Sequence, residues 1–221
     1  MKKGKISSYV VKRMPRYYRF LGDMIEEGEI KISSGEIARR LKLTPSQVRQ
    51  DFNCFGEFGM QGYGYNVIQL RQEIGEILGI KKMSRAVIVG AGNIGQAICD
   101  SISFEKRGCR LVGIYDNSPE IIGKIVGEHG EHQVKGMEAL AELCQKEGGS
   151  HLPDLAVICV SKKSARSVCE QLIALGIKNF WNFTQFDINL HFDDVNAENV
   201  HLGDSLLTLV YNINRNNCEA K

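Results

Sequence analysis

The sequence predicts an α/β fold in two parts: a small helical unit over residues 1–84, then a larger unit of alternating strands and helices. Three observations carry this. Apolar residues recur at helical spacing through the first fifty positions, with serine or threonine where helices begin. A glycine turn, Gly90-Ala91-Gly92-Asn93-Ile94-Gly95, joins an apolar strand to an apolar helix. Charge divides at the same place: residues 1–84 hold 15 Lys/Arg against 9 Asp/Glu, or +6, and residues 85–221 hold 13 against 17, or −4. A basic small unit beside an acidic larger one is expected if only the former meets phosphates, although most charge runs are solvated helix faces.

Composition bounds the remaining classes. Hydrophobic residues make up 43% of the chain, enough for packed cores, and no apolar run has the length needed to cross a bilayer. Met1-Lys2-Lys3-Gly4-Lys5 lacks the apolar core of a signal peptide. The seven cysteines (54, 99, 109, 144, 159, 169 and 218) form no CxxC pair, and several sit in apolar periodic stretches. Buried thiols in a reducing cytoplasm are the better reading of an odd cysteine count.

Val10, Met14, Tyr17, Leu21, Met24 and Ile25 predict a first helix ending near Gly28. Ser33-Ser34-Gly35-Glu36 offers a second start, with a glutamate placed to reach back to the capping serine. Ile37, Ala38 and Leu41 supply that helix's buried side. Thr44 can cap a third helix whose first position takes Pro45 without losing a hydrogen bond. This helix buries Val48 and Phe52 and exposes Ser46, Gln47, Arg49 and Gln50. Two short helices joined by a tight turn make a helix-turn-helix, whose second helix presents polar side chains to base edges. Phe55 to Val67 then alternates glycines with aromatic residues, which fits either a β-hairpin wing or a loop packed by aromatics. Ile68, Ile74, Ile77 and Leu78 give a linking helix ending near Gly79.

Four segments together resemble the Rex family of redox-sensing transcriptional repressors. They are Arg13-Met14-Pro15-Arg16-Tyr17-Tyr18-Arg19-Phe20-Leu21, Ser46-Gln47-Val48-Arg49-Gln50-Asp51-Phe52, Phe55-Gly56-Glu57-Phe58-Gly59 and Gly62-Tyr63-Gly64-Tyr65-Asn66-Val67. The resemblance runs through the glycine turn to Leu209-Val210-Tyr211, so it covers nearly the whole chain. It implies a homodimeric, non-catalytic repressor with N-terminal winged helices and C-terminal Rossmann domains. Palindromic operator DNA would be bound when NADH is low and released by NADH. The residues expected at DNA are Arg13, Ser46, Gln47, Arg49, Gln50, Gln61 and Gly62.

The second unit is legible without the resemblance. Arg85 to Val89 is an apolar strand, and the glycine turn after it matches GxGxxG. Its first glycine allows the turn, the second admits pyrophosphate, and the third lets the following helix pack closely. A second strand, Leu111 to Tyr115, ends in Asp116, 21 residues after Gly95. An acidic side chain there can accept hydrogen bonds from the adenosine ribose and repel a 2′-phosphate, so NAD(H) is favoured over NADP(H). The bland alternative for Asp116-Asn117-Ser118-Pro119 is an ordinary turn with a helix cap. A helix from Glu138 to Cys144, a strand from Leu155 to Val160, a helix from Ser164 to Leu175 and a strand from Ile177 to Phe183 complete a parallel sheet. The expected cofactor residues are Gly90, Ala91, Gly92, Asn93, Ile94, Gly95, Asp116 and Asn117, with Val160, Ser161, Asn182 and Phe183 on the nicotinamide side.

Ser205 to Ile213 is strongly apolar. On sequence alone it is either a helix on its own sheet or one exchanged between protomers; the resemblance implies exchange. The expected divisions are therefore 1–84, 85–202 and 203–221. Some positions depart from the family pattern. Gln50 and Gln61 stand where basic residues are usual, weakening phosphate contacts, and Ser161 stands where the family has proline. In relatives, a tyrosine and an aspartate help link NADH to an N-terminal arginine. Here Ser101 and His201 occupy those positions, with Arg19 retained and Asp204 close by. The competing class is a small NAD-dependent oxidoreductase. Such an enzyme needs a proton donor and a group polarising a carbonyl; no recognisable histidine dyad or Tyr-x-x-x-Lys pair supplies them, and no CxxC or histidine–carboxylate set points to metal. A cofactor scaffold without DNA would leave the basic helix-turn-helix unexplained.

Overall fold

The computed structural model describes residues 6–56, 58, 64–146 and 152–219. The chain divides into two compact units, Met1–Lys82 and Met83–Lys221.

The first unit runs α1 (Ser8–Glu26), β1 (Lys31–Ile32), α2 (Ser34–Leu41), α3 (Pro45–Asn53), β2 (Tyr65–Asn66) and α4 (Val67–Ile77). Met14, Tyr17, Leu21 and Met24 of α1 share one core with Ile37, Val48, Phe52, Leu70 and Ile74. Ser33 caps α2 by accepting from the Glu36 amide at 3.1 Å. The reciprocal arm of that box is replaced: the Glu36 carboxylate takes Arg39 at 2.6 and 2.9 Å and Arg40 at 2.7 Å, because guanidiniums one turn on offer it charge-assisted bonds. Thr44 caps α3 through the Gln47 amide at 3.1 Å, with Pro45 at the first helical position.

The end of the aromatic–glycine stretch pairs with a strand outside it. Tyr65–Asn66 forms an antiparallel ribbon with Lys31–Ile32, the strand ahead of α2. Gly64, at φ +73°, makes the approach possible, since a Cβ there would meet the Ile32 carbonyl at 2.6 Å. This ribbon and the helices form a winged helix-turn-helix. Gln61 and Gly62, expected at DNA, lie outside the described residues.

The second unit is doubly wound. Its elements are β3 (Ser84–Val89), α5 (Asn93–Ser101), β4 (Cys109–Asp116), β5 (Ile125–Val126), β6 (His132–Gly136), α6 (Met137–Lys146), β7 (Leu155–Ile158), α7 (Lys162–Ala174), β8 (Asn179–Asn182), β9 (Asn196–Asn199) and α8 (Leu202–Glu219). Strand order is β5-β6-β4-β3-β7-β8-β9, and every pairing except β5 with β6 is parallel. Alternate residues of β3 enter opposite cores. Val87 and Val89 join Leu140 of α6 and Val168 and Leu172 of α7; Ala86 and Ile88 join Ile98 of α5. The chain winds outward from β3 through β4 and β6, then returns to β3's other side as β7. A crevice therefore lies beyond the ends of β3 and β7, where the strand order reverses, which is where open α/β sheets bind ligands.

Candidate functional site

The glycine turn is built as its spacing requires. Gly90 has φ +98°, and a Cβ on it would meet the Cys159 carbonyl carbon at 2.7 Å, so the loops after β3 and β7 touch here. A Cβ on Gly95 would run into the Gly90 carbonyl oxygen, while one on Gly92 would meet nothing within 4 Å. The turn is braced on both sides. Asp116 Oδ2 accepts from the Ala91 amide at 2.7 Å, and the Gln96 side-chain amide donates to the Ala91 carbonyl at 2.6 Å. Asp116 Oδ1 accepts from the Ser118 amide at 2.8 Å. Asp116 is thus a brace for the turn as well as a terminal carboxylate, and each oxygen keeps acceptor capacity.

Two helices begin at this crevice, and they differ. Gly92 gives α5 no side-chain cap, so its first amides are open to an anion. At α7, Ser161 caps through the Ser164 amide at 3.3 Å and contacts the Ser164 hydroxyl at 3.0 Å.

Two clefts flank the turn. The first, about 570 Å³, is lined by Gly90, Gly92, Asp116, Asn117 and Ser161, by Ile121, Met137 and Glu138, and by Ser164, Ser167 and Gln171 of α7. The second, about 690 Å³, is lined by Ile94, Val160, Lys162, Phe183, Thr184, Gln185, Asp187, His201 and Asp204. Val160 belongs to both. Phe183 is set by an edge-to-face contact with Trp181, centroids 4.7 Å apart.

One expected contact turns elsewhere. The Asn182 side chain is wholly buried; it donates to the Phe186 carbonyl at 2.6 Å and to Asn199 at 2.8 Å, and accepts from the Thr184 amide and hydroxyl. It lines neither cleft and instead shapes the loop that carries Phe183 and Thr184. Beneath the turn, burial pushes the Cys159 thiol up to about 12, and Cys99 and Cys169 up to about 11. Thiols held protonated at neutral pH are poor redox sensors.

In the first unit, Ser46, Arg49 and Gln50 are exposed on α3, and Gln47 is half-buried. The Arg49 guanidinium lies 3.3 Å from the hydroxyls of Ser34 and Ser46. Arg13, expected at DNA, is engaged internally. It holds both oxygens of Asp51 at 2.5 and 2.6 Å, and the Tyr17 hydroxyl donates to the same carboxylate at 2.8 Å. The reason is burial: Asp51 is 2% exposed, and an ionised carboxylate out of water needs a cation and donors. Arg16 likewise donates to the Leu41 carbonyl at 2.7 Å, at the end of α2. Arg19 and Ser101 are exposed on their own units, and His201 is half-buried.

Residues 5–53 match the family model described as a putative DNA-binding protein N-terminus, and residues 81–186 match the CoA binding domain. Two relatives span nearly the full length. A redox-sensing transcriptional repressor Rex of Clostridium perfringens (strain SM101 / Type A) is 42% identical over 215 residues, covering 97% of this chain and 98% of that one. One of Clostridium kluyveri is 43% identical over 208 residues, covering 94% and 95%. The chain belongs to the Rex family of redox-sensing transcriptional repressors. Solved structures agree with this. The Rex-family repressor RSP in complex with β-NAD⁺ and operator DNA superposes with a TM-score of 0.86 at 38% identity, covering 98% of this chain and 96% of that one. RSP in complex with β-NADH gives 0.85 at 36% identity, covering 98% of each.

Against the Rex pattern, several cleft residues were not found by sequence reasoning. Met137 and Glu138 follow β6, a strand too polar to read as one, with only Val134 buried among its five residues. Lys162, Ser164 and Ser167 lie in the first two turns of α7, where the position after β7 could have pointed to them, and Gln171 lies one turn further on.

Proposed function

We propose that the chain is an NADH-responsive repressor that binds palindromic operator DNA as a homodimer and leaves it when NADH occupies the Rossmann unit. The observation that carries the cofactor half is the uncapped N-terminus of α5 beneath an open Gly92, beside Asp116. The first cleft then takes the adenosine, α5 the pyrophosphate and the second cleft the nicotinamide. NADH differs from NAD⁺ by a neutral, puckered ring, so discrimination belongs to the second cleft, with Ile94, Val160, Phe183, His201 and Asp204. Asn93 and Asn117 are exposed at the ends of that path. Arg19, Ser101, His201 and Asp204 are the proposed coupling positions.

At DNA, Arg49 and Gln50 are the base-reading candidates and Ser46 and Gln47 the backbone contacts, with Gln61 and Gly62 on the wing. Arg13 acts indirectly, by fixing α3 through Asp51. The dimer rests on α8. Leu206, Leu207, Leu209, Val210, Tyr211 and Ile213 are 43–68% exposed around this helix, and a helix apolar on more than one side needs a covering partner. Among the described residues no helix is long and apolar enough to cross a membrane. The reading is of a cytoplasmic, metal-free regulator without turnover, in which the cofactor's oxidation state is the signal.

Fluorescence anisotropy with a labelled palindromic operator, at fixed salt, tests this. Complexes formed without cofactor or with NAD⁺ should dissociate on adding NADH. Steady consumption of NADH with small carbonyl compounds would instead favour the oxidoreductase.

A further inference from the structure

The charged side chains lining the first cleft are two carboxylates, Asp116 and Glu138; the residues described around it include no lysine, arginine or histidine. The two sit on neighbouring strand ends. Asp116 closes β4, its register partner on β6 is Gly136, and Glu138 lies two residues on, in the first turn of α6. Gly136 leaves the room the second carboxylate uses, since a Cβ there would run into Glu138 Oε2.

The two carboxylates differ in what already binds them. Asp116 accepts from the amides of Ala91 and Ser118, which disperse part of its charge. Among the described residues, no hydrogen bond or ion pair engages the Glu138 carboxylate. Resting on the adenosine placement given above, we infer that Glu138 is a second selectivity residue, which with Asp116 rejects adenine nucleotides carrying a phosphate on the adenosine ribose. A phosphate there would meet two negative charges and no cation. That class includes NADP(H), with its 2′-phosphate, and coenzyme A, with its 3′-phosphate. The cleft thus selects against the ligand for which the matching domain model is described, while NAD(H), whose adenosine ribose hydroxyls are both free, is accepted.

The test uses the full chain and isothermal titration with four probes: NADH, NADPH, coenzyme A and 3′-dephospho-coenzyme A. Wild type should bind NADH more tightly than NADPH, and dephospho-coenzyme A more tightly than coenzyme A. Glu138→Gln should raise NADPH affinity by about three- to tenfold, the scale of one solvated charge near a phosphate. Its NADH affinity should rise by a smaller factor than its NADPH affinity, because the pyrophosphate common to both lies farther from Glu138 than a ribose phosphate would. Because both charges are solvated, that gain should shrink when salt rises from roughly 0.05 to 0.5 M, which a packing defect would not reproduce. Glu138→Lys should increase the gain, and a variant in which it does not overturns the charge assignment. A NADPH-to-NADH affinity ratio unchanged in Glu138→Gln at low salt overturns the role of Glu138 alone. Coenzyme A binding as tightly as its dephospho form overturns the exclusion rule. Wild type that binds none of the four overturns the cofactor reading, and this inference with it.

Discussion

Asp51 is a carboxylate almost wholly removed from water, held by Arg13 and the Tyr17 hydroxyl, and it lies on the helix that exposes Arg49 and Gln50. Removing one partner of such a pair leaves a buried charge uncompensated, at a cost of about 3–5 kcal/mol. Arg13→Ala should therefore lower the thermal midpoint and weaken DNA binding through α3. Arg49→Ala should leave stability intact and cost about 1–3 kcal/mol of operator affinity; calorimetry beside anisotropy separates the two. Tyr17 adds a pH signature. Burial, then its bond to Asp51, pushes its hydroxyl above the ordinary value of 10.0. The unfolded tyrosine ionises first, so folding stability should fall as pH rises past about 10, and Tyr17→Phe should flatten that fall. Gly92→Val separates folding from function at the turn. With φ −71° and nothing within 4 Å of an added Cβ, the branched residue should fold normally yet abolish binding of both NAD⁺ and NADH. The glycine roles were legible because spacing dictates them. The partners of Arg13 and Asn182 were not, because periodicity says which side is buried but not which polar groups meet there.

At the scale of elements, α8 is the helix whose apolar side chains its own unit leaves exposed. It is 18 residues long, about 27 Å of helix, and neither core cluster of the second unit contains its apolar side chains. Deleting residues 203–221 should yield a monomer by light scattering and abolish release of DNA by NADH. A truncated chain that stays dimeric and fully responsive would remove α8 from the switch. Helices and core strands were readable because their apolar residues repeat at 3.6 or run unbroken. The outlying strands β6 and β9 were not, since neither carries an apolar run and Asn196–Asn199 has only Ala197 among polar residues. The ribbon of β1 with β2 joins two-residue strands more than thirty positions apart, too short for any local pattern. Pro15 stands inside α1, whose apolar spacing carries through it.

For the molecule as a whole, the +6 and −4 halves agree with phosphate contact in one unit and cofactor binding in the other. Operator affinity should fall steeply with salt, and NADH affinity much less. Coupling between the two sites is reciprocal: NADH should weaken operator binding by the same factor by which operator weakens NADH binding. The direct test titrates NADH into the full chain with and without saturating operator, at one salt concentration, and compares that ratio with the loss of operator affinity in saturating NADH. Equal factors, each about fivefold or more, are the predicted result. An NADH affinity indifferent to operator would contradict the account.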